Sequence, residues 1–119
     1  MTGWERFARA AQNSLEWLAL NSKRSQILND PYYRFQSIAE IEFAAKLGIR
    51  IDVNRATIDD WLRLPIISIH QARSLFSLTQ SGVQFYALDD IADALGLPVE
   101  SLRAIAPILQ FSYYLPKPN

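Results

Sequence analysis

The stretch Leu64-Pro65-Ile66-Ile67-Ser68 is a tight turn between two short helical patterns, and it leaves the surrounding chain few ways to fold. Thr57 stands at the N-cap position of the first pattern. Ser68, with Gln71 three residues later, has the spacing of a capping box for the second. The simplest product is a hairpin of helices.

The rest of the chain extends this reading. Amphipathic or apolar periods cover Ser37 to Leu47, Thr57 to Leu64, Ser68 to Ser81, Asp89 to Leu95 and Pro98 to Leu109. Gly48, Gly82 and Gly96 follow the last periodic residues of three of them, where a helix is expected to stop, and Pro98 suits a first helical position. Strand signals are confined to a short alternation over Ile49 to Val53. The expected class is all-α, with Trp61, Leu64, Ala72, Leu75, Phe85, Ile91, Leu95, Leu102 and Ile105 as core residues on either side of the turns.

Upstream, residues 2 to 28 read as one long amphipathic helix, with Trp4, Phe7, Ala8, Ala11, Leu15 and Leu18 on one stripe. Packing of that stripe against the hairpin region, through Trp4, Phe7, Ala11 and Leu18, is the favoured expectation. A membrane surface or a second chain engaged by Trp4 and Trp17 beside Arg6, Arg9, Lys23 and Arg24 is the weaker one, because the polar face mixes acids with bases. Asn29-Asp30-Pro31 punctuates the chain, and Tyr32, Tyr33 and Phe35 are expected to seal a join between subdomains, with base stacking the less favoured alternative. A weak internal repeat relates Phe35-x-Ser37-Ile38-x-Glu40-Ile41, ending in Leu47-Gly48-Ile49, to Phe85-x-Ala87-Leu88-x-Asp90-Ile91, ending in Leu95-Gly96-Leu97. Two regions result: residues 1–50, a helical extension with a partial repeat, and residues 51–119, the hairpin region.

Charge and composition narrow the function. The 119 residues carry twelve Lys and Arg against twelve Asp and Glu, so no global field draws the chain to a polyanion. The first fifty residues hold seven bases and five acids, and the remainder five and seven, which makes the hairpin region net acidic. Absence of cysteine removes disulfides, thiolate metal sites and thiol catalysis together. With a single histidine, His70, only carboxylates remain as ligands, and Asp59-Asp60 and Asp89-Asp90 read as first-turn helix charges, so no metal site and no cofactor are expected. No apolar run approaches a membrane span and no secretory signal is evident, so a cytoplasmic location is the expectation. With no nucleophile beside a base and no Gly-rich nucleotide loop, an enzyme is the least supported class.

The order Ile51-Asp52-Val53-Asn54-x-Ala56, then Leu64-Pro65, then Ala72, Gly82-x-x-Phe85 and Leu88-Asp89-Asp90-Ile91, resembles the tandem helix-hairpin-helix domain of ComEA-like competence proteins, a SAM-domain-like fold. In that family each hairpin has the form Gly-apolar-Gly, whose backbone amides bind a phosphate oxygen of duplex DNA without reading bases, and a basic residue follows. The physical basis is the unpaired amides and positive dipole end of a helix N-terminus.

Carried over residue by residue, the resemblance implies DNA contacts at Ile67, Ser68, Ile69, His70 and Arg73 in the first hairpin and at Gly96, Leu97 and Arg103 in the second. The chain departs from the pattern at both. Ile66 and Ser68 replace the two glycines of the first turn, and Gln71 the basic residue; Pro98 replaces the second glycine of the second turn, and Glu100 its base. Only weak, salt-sensitive duplex binding is therefore expected, and Arg55 and Arg63 are expected to be surface charges, Arg63 pairing with Asp59. The alternative is a protein-docking module that has lost phosphate binding, as in the PsbU-like use of this fold, with Ile66, Ile67 and Ile69 at the contact.

Overall fold

The computed structural model describes residues 15–114. It is mostly helical, with one two-stranded sheet. Helix α1 covers residues 15–21 and is followed by α2 (Arg24–Asn29), α3 (Ile38–Lys46), α4 (Ile58–Leu62), α5 (Ile69–Gln80) and α6 (Leu88–Leu95). A 3-10 helix, Val99–Ile108, completes the helical set. The strands are β1 (Ile51–Asp52) and β2 (Leu109–Gln110).

Local chemistry explains most boundaries. Thr57 Oγ1 accepts from the Asp60 amide at 3.1 Å while Asp60 accepts from the Thr57 amide at 2.9 Å, so the start of α4 is capped in both directions. Ser68 and Gln71 do the same for α5, at 3.1 and 2.9 Å. Helix α3 starts on Ser37, whose hydroxyl accepts from the Glu40 amide. At the end of α6 the chain turns through Gly96 at φ 65°, a left-handed conformation that glycine adopts without a Cβ clash, and the Leu97 amide donates back to the Ala92 carbonyl at 2.9 Å.

The core is one cluster reaching from Ile27 to Leu109. Trp61, Leu64, Ala72, Leu75, Phe85, Ile91, Leu102 and Ile105 are buried as the periodicity predicts, while Leu95 packs against the cluster only partly buried. Helix α4 packs on α5, α5 on α6, and α6 on the 3-10 helix, which also receives α3. Truncating any one of the fully buried leucines or isoleucines is worth about 2–5 kcal/mol in such a core.

Three expectations are corrected. First, the helix over residues 2 to 28 is broken within the described residues: Ser22 and Lys23 form a turn between α1 and α2. Ser22 Oγ donates to the Ala19 carbonyl at 2.6 Å and the Lys23 amide to the Leu20 carbonyl at 3.0 Å, so the side chain and a tightened turn take carbonyls that the continuing ladder would need. Leu18 is exposed and does not dock; Ile27, fully buried, is the anchor of this segment. Trp4, Phe7 and Ala11 lie outside the described residues.

Second, the segment after Pro98 is a 3-10 helix instead of an α-helix. Its buried residues Leu102, Ile105 and Ile108 recur every three positions, which is the 3-10 period, and Pro107 withholds a donor from any α ladder. Third, its end is a strand: β2 pairs in parallel with β1, Ile51 opposite Leu109, and the Val53 amide adds a bond to the Gln110 carbonyl at 3.0 Å. The alternation over Ile49 to Val53 is real but short, and its partner pairs through two residues alone, Leu109 buried and Gln110 exposed.

The internal repeat has a physical counterpart. Phe35 and Phe85 are both buried, as are Ile41 and Ile91, and the carboxylates of Glu40 and Asp90 each accept from an amide just ahead of their helix. Each unit also closes alike, with the Ile49 amide on the Ala44 carbonyl at 3.0 Å and the Leu97 amide on the Ala92 carbonyl at 2.9 Å.

Candidate interaction surface at the helical turns

At the first turn, the amides that a phosphate oxygen would need are largely occupied. Ile67 donates to the Leu64 carbonyl at 3.2 Å, Ser68 to Gln71 Oε1 at 2.9 Å, and Gln71 to Ser68 Oγ at 3.1 Å. The capping box occupies the Ser68 and Gln71 amides, so an incoming anion competes there with bonds already made; it does not engage the Ile69 and His70 amides in the first turn of α5. At the second turn, Gly96 donates to the Asp93 carbonyl at 3.2 Å, Leu97 to that of Ala92, and Pro98 has no amide to offer. Exposed Glu100 adds negative charge in the first turn of the 3-10 helix.

The side chains divide sharply. Ile67 is 6% exposed and belongs to the core, which corrects its inclusion in a docking face: the turn tucks the middle isoleucine under α5 and leaves its neighbours outside. Ile66 is 43% exposed and Ile69 39%. Ser68, His70 and Arg73 are exposed on the same end of α5, and Arg73 lies one helical turn beyond Ile69 on its face. Arg103 is exposed on the 3-10 helix, Leu97 is half-buried and Gly96 is exposed. Among the described residues, no group of three or more His, Asp or Glu gathers where it could hold a metal ion.

Arg63 departs most from its sequence reading. It is buried, with Nε donating to the Tyr33 carbonyl at 3.0 Å and its guanidinium 4.9 Å from the centre of the Phe35 ring. The Phe35 amide in turn donates to the Arg63 carbonyl at 2.8 Å. Burial pushes the pKa of the guanidinium down, opposed by the nearby charges of Asp60 and Asp30. Arg63 is thus the bolt between the loop at Tyr33–Phe35 and α4, and is removed from any nucleic-acid surface. Tyr33 and Phe35 seal that join, whereas Tyr32 is exposed and takes no part in it.

A second polar cluster went unread in the sequence. Glu40 is buried, accepts from the Tyr33 hydroxyl at 2.8 Å and the Gln36 amide at 2.9 Å, and pairs with Lys23 at 3.0 Å. Burial alone would raise its carboxyl pKa; the Gln36 amide, Lys23 and Tyr33 outweigh that and hold it below the ordinary value. Burial and the neighbouring Glu40 push the Tyr33 hydroxyl up to about 12. The only available signal was Glu40 at N3 after Ser37, and that spacing says nothing of Lys23.

Arg55 is exposed, and its guanidinium lies 3.6 Å from the centre of the Tyr114 ring, while the Tyr114 hydroxyl bonds to Asp52. Among the described residues, no helix is long and apolar enough to cross a membrane. Comparison of the chain with protein-family models, with curated proteins and with solved structures finds no match.

Proposed function

We propose that the chain is a non-catalytic tandem helix-hairpin-helix module of ComEA-like type, whose first turn docks a protein partner through Ile66 and Ile69. The observation that carries this reading is the internal commitment of the Ser68 and Gln71 amides to a capping box, directly beneath two half-exposed isoleucines. With the Ser68 and Gln71 amides committed, fewer donors face a phosphate, while isolated branched apolar side chains at a turn suit a small hydrophobic pocket ringed by acids that meet Arg73.

Weak duplex-backbone binding is the second reading, favoured by the exposure of Arg73 and Arg103, one on each hairpin. Titration of a labelled DNA duplex at physiological salt separates the two. Docking predicts a Kd of ~10⁻⁴ M or weaker, the range of ordinary non-specific contacts, with tighter binding once Ile66→Gly and Ser68→Gly reopen the turn. Low-micromolar binding that falls steeply with salt and is lost in Arg73→Ala would establish the DNA reading instead. A partner identified by crosslinking, rebound in purified form and lost with Ile66→Asp, completes the case for docking.

A further inference from the structure

Tyr86, at the entry to α6, and Tyr113, just beyond β2, lie ring on ring: their centroids are 5.4 Å apart and their planes 27° from parallel. Both are open to solvent, at 63% and 51% exposure. Desolvation and then the adjoining Tyr113 hydroxyl raise the pKa of the Tyr86 phenol, so the hydroxyl ends of the two rings lie together. The fold holds the pair in place. Asn54 bonds Phe85 and Ser112, the residues immediately before the two tyrosines, so one side chain sets both backbones beside each other. The Tyr86 amide donates to Asp90 at 2.7 Å, and beyond Tyr113 the Tyr114 amide donates to Gln84 Oε1 at 3.3 Å.

We propose that this pair is an oxidative modification site, at which a one-electron oxidant of the peroxidase class joins the two rings as an intramolecular dityrosine. Each phenol gives up one electron and its hydroxyl proton, leaving a phenoxyl radical whose unpaired electron is shared with the ring carbons next to the hydroxyl-bearing one. One such carbon of Tyr86 bonds to one of Tyr113. Each of the two then passes its hydrogen as a proton to its own ring's oxygen, which restores both aromatic rings. The balance is two tyrosines and one hydrogen peroxide to one dityrosine and two waters. Because the stack brings those carbons together before any radical forms, coupling needs no encounter between chains. No cysteine is present to quench the radicals. The other tyrosines are poorly placed. Tyr33 is buried edge-on to Phe35, Tyr114 is tied to Asp52 under the Arg55 guanidinium, and Tyr32, though exposed, lies against no other aromatic ring among the described residues. The product would staple the segment after β2 to the entry of α6.

Oxidation of the full chain at high dilution by a haem peroxidase with hydrogen peroxide tests this. A monomer lighter by two hydrogen atoms should appear, with dityrosine fluorescence and a linked peptide pair that holds Tyr86 and Tyr113. Its yield should not depend on protein concentration. The yield should fall roughly tenfold or more in Tyr86→Phe, in Tyr113→Phe and in the chain unfolded by urea, where the rings are no longer held together. Both rings are exposed, so the circular dichroism spectrum of either variant should match that of the parent. Tyr32→Phe should leave the yield unchanged. A chain that gives no dityrosine, covalent dimers alone that increase with concentration, a link through Tyr32 or Tyr114, or a yield retained in Tyr113→Phe would overturn the proposal.

Discussion

Asn54 grips Phe85 by both of its backbone groups across 31 positions of sequence: Oδ1 accepts from the Phe85 amide at 2.7 Å, and Nδ2 donates to the Phe85 carbonyl at 2.9 Å. The same Nδ2 donates to the Ser112 carbonyl at 2.8 Å. One amide side chain therefore joins the turn after β1, the entry to α6 and the strand end after β2, the three places where the fold closes on itself. Only Asn or Gln has an acceptor and a two-proton donor on one group.

Asn54→Asp keeps the acceptor and sets a carboxylate oxygen against two carbonyls. It should lower stability by about 1–3 kcal/mol, and by more than Asn54→Ala, because repulsion adds to the lost bonds. Urea unfolding of the three proteins checks the order; equal midpoints would mean that the clamp contributes nothing.

Arg63→Met preserves the stem that packs on Phe35 and removes the donor to the Tyr33 carbonyl. The expected loss is about 1–3 kcal/mol, with Tyr33 becoming more accessible. Arg63→Lys should recover little of it, since the bond is made by Nε, an atom that lysine lacks at that point. Denaturant midpoints together with tyrosine fluorescence report both effects.

Stability should depend on pH at both ends of the scale. The Glu40 carboxyl is held below its ordinary 4.5, so its contribution is complete above that pH and is lost as pH falls through the lower folded value. The Tyr33 hydroxyl, raised from 10.0 to about 12, contributes fully below pH 10 and loses that contribution as pH rises toward 12. Glu40→Gln should flatten the acid limb of a thermal-midpoint profile and lower the neutral plateau; a parallel profile in the variant would refute the assignment.

Ser68→Ala removes one arm of the α5 capping box and should cost about 1 kcal/mol. It also frees the Gln71 amide, so any phosphate affinity at the first turn should rise slightly while stability falls. Opposite movement of the two measurements is the signature that the cap and the anion compete for the same donor.

How much of this was legible in the chain follows the range of the forces involved. The turn at Leu64 to Ser68, the Thr57 cap, the Ser68–Gln71 capping box, the glycine stops and nearly all of the expected core depend on residues within about one helical turn of each other, and spacing alone revealed them; the return bond from Asp60 to Thr57 was not read. Arg63, Glu40, Lys23 and Asn54 were opaque for the opposite reason. Arg63 looks like a surface charge until the Tyr33 carbonyl, thirty residues away, is placed beside it. Leu18 looks like a core residue until Ser22 breaks the helix and turns Ile27 inward instead. The strand at Leu109–Gln110 exists only because Ile51–Asp52 lies alongside. Local hydrogen bonding and helical period are written in the order of residues; burial of a charge, the facing of an amphipathic stripe and the pairing of a two-residue strand are settled by what the rest of the chain brings next to them, because their free energy comes from desolvation and from partners distant in sequence.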